Sequence, residues 1–359
     1  EAVALEGITV LADRERIDVS DASVVDMVTR EQIEELPALG RDFTDFINLS
    51  ALVAPQPGVT TGGQFSIGGA RTSGTQIQID GADANNAFFG ENRGSSRIPF
   101  TFSLESIREF QIITNGFDVE YGKFSGGLIN AVTKSGTNET QGNAFVFWRD
   151  ETLTADNFND QAPSDFQSFQ FGGVLSGPII EDKLHYFVSA DLQQRNQPTF
   201  ALDPQRANLS QATLDEFQSI LTSVYGFSES EIADDFGTFD ETDDQIALFG
   251  RLDWAMNPDH RLSFRINYSD FENQNDRISS SGLEARTRGG TFIDEAISAV
   301  AELNSTFGDG IFNTLRVQYS SEDRPRPGNS RLPSVEVEGV TNQDGRDVTL
   351  GWGGSFFGI

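Results

Sequence analysis

From residue 141 onward the chain alternates apolar and polar residues with period two over seven long segments, a pattern that few folds accommodate. Residues 183–194 are the clearest case. Leu184, Tyr186, Val188, Ala190 and Leu192 oppose His185, Ser189, Asp191 and Gln193. Segments near 168–177, 244–256, 260–270, 292–307 and 312–321 repeat the pattern, with Phe169, Phe171 and Leu175 on one face of the first. The segment at 142–151 carries Phe145, Phe147 and Trp148 on both faces, so its facing stays open. A soluble sandwich buries such a face in a core, whereas a transmembrane barrel turns it to lipid and keeps charge in the lumen. The connections separate the two. Those at 152–167, 195–243 and 272–291 are long, those at 178–182, 257–259 and 308–311 are short, and a long segment follows 322. Outer-membrane barrels have short periplasmic turns and long extracellular loops, so the alternation favours the barrel.

Composition removes several alternatives. Fifty-five acids against 25 bases give a formal charge of −30, opposite to the basic footprint that nucleic acid demands. Cysteine is absent and there are only two histidines, His185 and His260. That removes thiol chemistry and leaves little for a metal centre, so no cofactor and no metal are expected. No run approaches the roughly 18 apolar residues of a membrane-spanning helix. With no GxSxG elbow, no evident His dyad, no P-loop and no dinucleotide fingerprint, the chain is not expected to be an enzyme. Asp240, Asp243 and Asp244 lack EF-hand spacing and read as solvated loop acids. Asp240 and Asp243 belong to the longest loop, 195–243, which holds ten acids and two arginines, and Asp244 follows it directly. Within it Ser210 is placed to cap a helix with Leu214, Phe217, Leu221 and Val224 on one stripe, ending near Gly226. The plain reading of that helix is a solvated loop element; the sharper one is an acidic lid that recruits cationic ligands. At the N-terminus neither a basic region nor an apolar core of a signal peptide is visible, so either a signal has been removed or the chain begins inside a longer precursor.

The first 140 residues read as a compact mixed domain. Residues 1–28 suit an extended segment leading into a strand. Thr29 and Gln32 fit a capping box; Ile33 and Leu36 share a face and Pro37 ends the helix. A second helix over Asp42–Leu49 places Phe43, Phe46, Ile47 and Leu49 near one face. Residues 55–64 and 84–99 are loop-like. Phe65 with Ile67 and Ile77 with Ile79 mark strands, and Asp80-Gly81 marks a turn. A short helix over Ser103–Phe110 is expected to run into a strand at Gln111–Thr114, and residues 126–133 form another strand. The pairs Gly68-Gly69 and Gly126-Gly127 suit tight turns and close backbone approach, not phosphate binding.

With these motifs in order, the chain resembles a TonB-dependent outer-membrane transporter of the Oar-like kind. Glu6-Gly7-Ile8-Thr9-Val10-Leu11-Ala12 looks like a TonB box, and Val28–Pro37 with Gly40-Arg41-Asp42-Phe43 is similar to the opening of a plug domain. Phe65–Arg71 and Ile79-Asp80-Gly81 match central plug motifs. Glu120–Gly127 and Asn130–Asn138 resemble the close of the plug and the lead into the first barrel strand. Asn257–Leu262 resembles a periplasmic turn of such barrels. The upstream carboxypeptidase-regulatory-like domain that many Oar-like proteins carry is absent from this sequence. The fold class implied is a mixed α+β plug followed by antiparallel transmembrane β-barrel strands, an incomplete barrel. Residues 1–20 hold the TonB box and an extended segment, 21–140 the plug, and 141–359 seven or eight barrel strands. A barrel of eight strands has its interior filled by side chains and encloses no plug, whereas plugged transporters use 22. The chain therefore reads as an N-terminal piece with about a third of a barrel.

The resemblance implies active transport of a scarce ligand (siderophore, oligosaccharide or peptide) across the outer membrane of a Gram-negative bacterium. The partners implied are TonB with its inner-membrane energising complex, outer-membrane lipid and a small extracellular ligand. The alternative is a surface or adhesion protein of the same architecture without import. TonB would pair its backbone with Glu6, Gly7, Ile8, Thr9 and Val10 by β-augmentation. Two plug loops would face the ligand, offering Thr60, Thr61, Gln64, Asn85, Asn86, Phe88, Phe89, Arg93 and Arg97. Arg71, Arg93 and Arg97 suit an anionic ligand, although Arg71 suits pairing with the acidic barrel wall better. Phe88 and Phe89 either stack on the ligand or pack the loop.

Overall fold

The computed structural model describes residues 24–36, 43–55, 65–70, 74–85, 102–114, 125–156, 165–203, 205, 207–233, 235–276, 283–308 and 310–354. It divides into two compact units, Glu1–Arg97 with Arg108–Val132, and Ile98–Ile107 with Thr133–Ile359.

The first unit is built on a five-stranded sheet. Its elements in chain order are β1 (Val24–Val28), α1 (Arg30–Glu35), α2 (Phe43–Ile47), β2 (Val53–Pro55), β3 (Phe65–Ile67), β4 (Thr75–Ile79), β5 (Ala82–Asp83), β6 (Ile107–Thr114) and β7 (Gly127–Thr133). The sheet runs β1-β6-β7-β4-β5, with β4 parallel to β7; β2 and β3 form a separate pair. Thr29 caps α1 as its sequence indicates: its hydroxyl accepts from the Gln32 amide while the Gln32 side chain accepts from the Thr29 amide at 2.9 Å. α1 nonetheless buries no residue fully, and Leu36 is exposed. α2 sinks Phe43, Phe46 and Ile47 into the core, where Phe43 packs edge-on to Phe65 at 6.2 Å and against Phe110 at 6.1 Å. Leu49 lies past the last helical turn and is 48% exposed, so it leaves the face that the sequence assigns it.

Asp80 and Gly81 take φ of 44° and 77°, the two left-handed residues of a tight hairpin turn between β4 and β5. Gly68 and Gly69 likewise have positive φ, and a side chain on Gly126 or Gly127 would collide with Ala70 or Ile67. The helix expected over Ser103–Phe110 is a correction. Only a single 3-10 turn, Leu104–Ser106, forms, and the strand begins at Ile107. Ile107, Phe110, Ile112 and Ile113 are buried, Phe110–Thr114 pair with β1, and β7 lies on the other side of β6. Sheet pairing and β-branched residues outweigh a weak helical period.

The second unit is dominated by one antiparallel sheet of seven strands in strict sequence order. They are β8 (Gln141–Asp150), β9 (Gln167–Ile180), β10 (Leu184–Ala201), β11 (Gly237–Asn257), β12 (His260–Asp276), β13 (Gly290–Phe307) and β14 (Ile311–Asp323). The sheet does not close; β8 and β14 are its edges. Register lines up one face as continuous apolar rows. One row runs Val146–Phe171–Leu192–Ile246, and another runs Leu175–Val188–Gly250–Ile266–Ala299–Tyr319. Most of these side chains are exposed, Val146 at 66% and Ile266 at 39%, with Leu192 and Ala299 half-buried. An apolar face this extensive and uncovered is a lipid-facing one. From Ile246 to Trp254 it spans about 27 Å of strand, matching an outer-membrane apolar band, with Trp148 and Phe169 at one border and Trp254 at the other.

The register also settles β8. Trp148 aligns with Phe169 on the lipid side, so Phe145 and Phe147 belong to the opposite face, their rings 5.6 Å apart. Several strands outrun their sequence-based limits: β10 continues to Ala201, β11 begins at Gly237 and β12 reaches Asp276. Most of the added residues are polar, with Phe200, Phe239 and the buried Phe271 among them, and pairing with the neighbouring strand keeps them extended. Asp240, Asp243 and Asp244 consequently lie within a strand, and Asp243 is buried beside Arg195, so the loop reading of these acids is corrected.

Among the described residues no eighth strand joins this sheet. β15 (Val335–Thr341) and β16 (Asp347–Trp352) pair only with each other. They pack with α3 (Gln211–Ser223), α4 (Glu229–Ala233) and residues 283–288 around the fully buried Trp352. Ser210 caps α3, accepting from the Thr213 amide at 3.1 Å, and Leu214, Phe217 and Leu221 are buried. Val224 ends the helix and is 71% exposed. The apolar stripe of α3 thus serves a shared core, unlike the solvated helix of the plain reading.

Placing a charge at the middle of the lipid face measures its environment directly. Ile266→Lys is expected to cost about 2–4 kcal/mol, read as a shift in the urea midpoint for folding into liposomes.

Candidate functional site

The face of the seven-stranded sheet opposite the lipid rows is polar and densely cross-linked. Parity along β10 assigns His185, Phe187, Ser189, Asp191, Gln193 and Arg195 to it. Asp191, 1% exposed, is as enclosed as Asp294 on the same face. It accepts from Gln170 Nε2 of β9 at 2.9 Å and from Ser103 Oγ at 3.2 Å. Ser103 belongs to the 102–107 segment, which lies against β9 and β10 inside this unit with Phe102, Leu104 and Ile107 buried. The same segment is tied a second time: the Lys134 amide donates to the Ser106 carbonyl at 2.7 Å, and Glu105 lies 4.0 Å from the Lys134 ammonium. Arg251 forks onto Asp253 and donates to Thr133 Oγ1 at 2.7 Å.

Several arginines on this face meet carboxylates. Arg195 pairs with Asp243, Arg316 with Glu302 at 2.7 Å, and Arg324 with Asp294 at 2.8 Å. Asn273 Nδ2 donates to Glu241 at 3.0 Å and also to Asp243. Near the outward ends of β8–β11 a cavity of about 300 Å³ is lined by Asp150, Glu151, Asp165 and Asp240 together with Phe166, over whose ring Arg149 sits at 4.9 Å.

The Lys134–Asn138 motif has a mechanical role. A side chain on Gly136 would strike the Tyr186 carbonyl, so only glycine lets the chain lie so close to β10. Asn138 Oδ1 accepts from the Asp182 amide at 2.8 Å and meets His185 Nε2 at 2.7 Å, pinning the first short turn.

Of the residues assigned from sequence, Glu6, Gly7, Ile8, Thr9, Val10, Thr60, Thr61, Gln64, Asn86, Phe88, Phe89, Arg93 and Arg97 lie outside the described residues, as does Arg71. Asn85 is described. Its Oδ1 accepts from the Ile77 amide at 2.9 Å and its Nδ2 donates to the Thr75 carbonyl at 3.1 Å, closing the edge of β4. Ser103, Gln170 and Asp191 were not singled out by sequence reasoning. The available signal was an aspartate on the polar parity of a membrane strand, which needs a partner.

A mixed sheet joined to a lipid-facing antiparallel wall defines a class: outer-membrane β-barrel proteins with a plug. Comparison with known proteins agrees. Residues 18–128 match the TonB-dependent Receptor Plug Domain and residues 132–231 an Outer membrane beta barrel domain. The TonB-dependent transporter Oar of Myxococcus xanthus is 31% identical over 213 residues, covering 56% of this chain and 19% of that protein. The probable TonB-dependent siderophore receptor PirA of Acinetobacter baumannii is 29% identical over 204 residues, 52% of this chain and 24% of that protein. Among solved structures, the siderophore receptor PirA from Acinetobacter baumannii aligns at TM-score 0.59 and 19% identity over 92% of this chain and 44% of its own. The ferric enterobactin receptor PfeA from Pseudomonas aeruginosa aligns at 0.57 and 17% over 84% and 41%. The chain belongs to the TonB-dependent receptors and is an outer-membrane protein. It spans a fifth to a quarter of the two relatives and less than half of the solved chains.

Two outcomes follow from these carboxylates. Asp191→Ala strips the acceptor from two buried donors, a loss of about 1–3 kcal/mol; hydrogen exchange at the Lys134 amide is expected to speed up at least tenfold. Asp235, 4% exposed in the outward core, behaves differently. Burial pushes its carboxyl above the ordinary range, while Thr287, the Trp352 indole and Arg286 pull it back. A raised value means the core is most stable below about pH 4, the ordinary aspartate value, and loses stability as pH rises through the raised one. Proteolytic nicking within 224–236 should therefore increase over that interval, and the increase should vanish in Asp235→Asn.

Proposed function

We propose that the protein takes up a scarce ligand, such as a siderophore, oligosaccharide or peptide, across the outer membrane, with its plug gating the barrel. One observation carries the proposal: a single chain joins a receptor plug to a wall that faces lipid outward and is polar within. A pore wide enough for a nutrient leaks unless it is blocked, and a blocked pore imports only if the block can be displaced. The sequence up to residue 20 supplies the handle. TonB adds a strand beside Glu6–Val10, and main-chain hydrogen bonds tolerate the sequence variety of many receptors. Residues 21–140 act as the plug and 141–359 as barrel wall. The ligand is met by the loops 56–64 and 85–97. Both named relatives are described as TonB-dependent, one a transporter and one a probable siderophore receptor.

The competing reading, a surface protein of the same build without import, differs in what the handle does. Proline at position 8 removes an amide needed for strand addition. In the whole receptor, Ile8→Pro is expected to lower energised uptake at least tenfold, on the order of the loss of one essential strand contact, with ligand binding unchanged. Unchanged uptake would favour the surface protein. Deleting residues 86–96 should weaken binding itself.

A further inference from the structure

We propose that three long outward segments, the β10–β11 and β12–β13 connections and the stretch after β14, fold into a single cap that opens and closes as one body, so that contact with any one of them is felt by all three. The first connection holds α3 and α4, the second residues 283–289, and the third the β15–β16 hairpin. They share one buried cluster: Phe217, Leu221 and Ile232 from the first, Ala285 from the second, Val335 and Trp352 from the third. The Phe227 ring lies 4.1 Å from that of Trp352.

Backbone hydrogen bonds close the triangle. The first and second connections are joined by the Leu202 amide to the Glu284 carbonyl at 2.9 Å and the Arg286 amide to the Asp235 carbonyl at 3.2 Å. The second and third exchange bonds between Ala285 and Gly351 at 2.8 Å and between Gly351 and Leu283 at 3.0 Å. The first and third meet where the Gln343 amide donates to the Asn208 carbonyl at 2.8 Å and its side chain to the Leu209 carbonyl at 3.0 Å. Arg288 adds an ion pair across the second and third, to Glu336 at 2.9 Å.

None of the pieces is stable alone. A thirteen-residue helix, a five-residue helix and an isolated two-stranded hairpin are each marginal in water. Their order comes from one another, so removing one exposes the buried faces of the others. Such mutual dependence is what makes a region open as a cooperative unit. A ligand that orders one connection lowers the cost of ordering the rest.

The test needs no ligand. It uses hydrogen exchange on the whole receptor in a lipid bilayer. Residues 1–359 hold no cysteine, so a pair introduced by Asn208→Cys and Gln343→Cys is unique within them. That disulfide ties the first connection to the third and leaves the second untouched. Oxidation should slow exchange at Ala285 and Arg286 in the untouched segment by about tenfold, and reductant should restore it. A gain confined to the neighbourhoods of 208 and 343 would overturn the proposal. Trp352→Ala provides an independent arm. Exchange should quicken together at Leu202, Arg286 and Gln343, while β10–β13 stay protected; quickening restricted to 347–353 would overturn it equally.

Discussion

Inside lipid there is no water to satisfy a backbone amide or carbonyl, so each must be paired within the protein. The rest of the structure depends on that requirement. It makes the ladder from β8 to β14 unbroken through the apolar band and turns register into the determinant of every side chain's environment. A slip of one residue would carry Val188, Ile246 and Ile266 into the lumen and bring Asp191 and Arg251 into lipid. The short turns hold the register. Asp182 adopts a φ of 62° and Gly308 of 58°, and the Lys183 amide closes its turn on the Ile180 carbonyl at 3.1 Å. Asn138, reaching across from the entry segment, fastens the first of these turns from outside the hairpin.

The lumenal face answers the opposite demand. Four ion pairs are spread along its strands: Arg251 with Asp253, Arg316 with Glu302, Arg195 with Asp243 and Arg324 with Asp294. Partly buried pairs of this kind add little net stability, because desolvation offsets most of the attraction. Their value lies in position. Breaking one leaves a charge uncompensated, so each pair resists local rearrangement of the wall. The Asp191 contact extends the same logic to the 102–107 segment, which is attached through one neutral donor, the Ser103 hydroxyl, to an enclosed acid.

Much of this was readable from residues. The alternation in β9–β14, the Thr29 capping box and the Asp80-Gly81 turn all express local rules that the structure obeys. What was misread shares one cause: partners distant in sequence decided the outcome. The polar continuations of β10 and β11 have no hydropathic signature, because above the membrane the neighbouring strand alone keeps them extended. Ile107–Phe110 has a helical look but opens the strand β6, which lies between β1 and β7. The stripe on α3 was visible, while its companion Trp352 lies 131 positions beyond Leu221 and carries no mark of the association. At the candidate site, the motif around Gly136 and Asn138 stood out in sequence, and its explanation, the closeness of Tyr186 and Asp182, required coordinates. Asp191 was noted on the polar face, and nothing local identified Ser103 as its donor.

The length of the β10–β11 hairpin has a consequence for how the cell surface is encountered. Leu192 and Ile246 are aligned near the upper border of the lipid face, and the ladder continues to Ala201 and Gly237. Nine further residues amount to about 30 Å of strand, or somewhat over 20 Å of height after tilt. Headgroups add only about 5–8 Å to the hydrocarbon edge. The hairpin therefore works as a stalk, holding its folded crown well clear of the leaflet. Anything bulky approaching the bacterium, whether an antibody or a phage tail, would touch that crown before it touched the membrane.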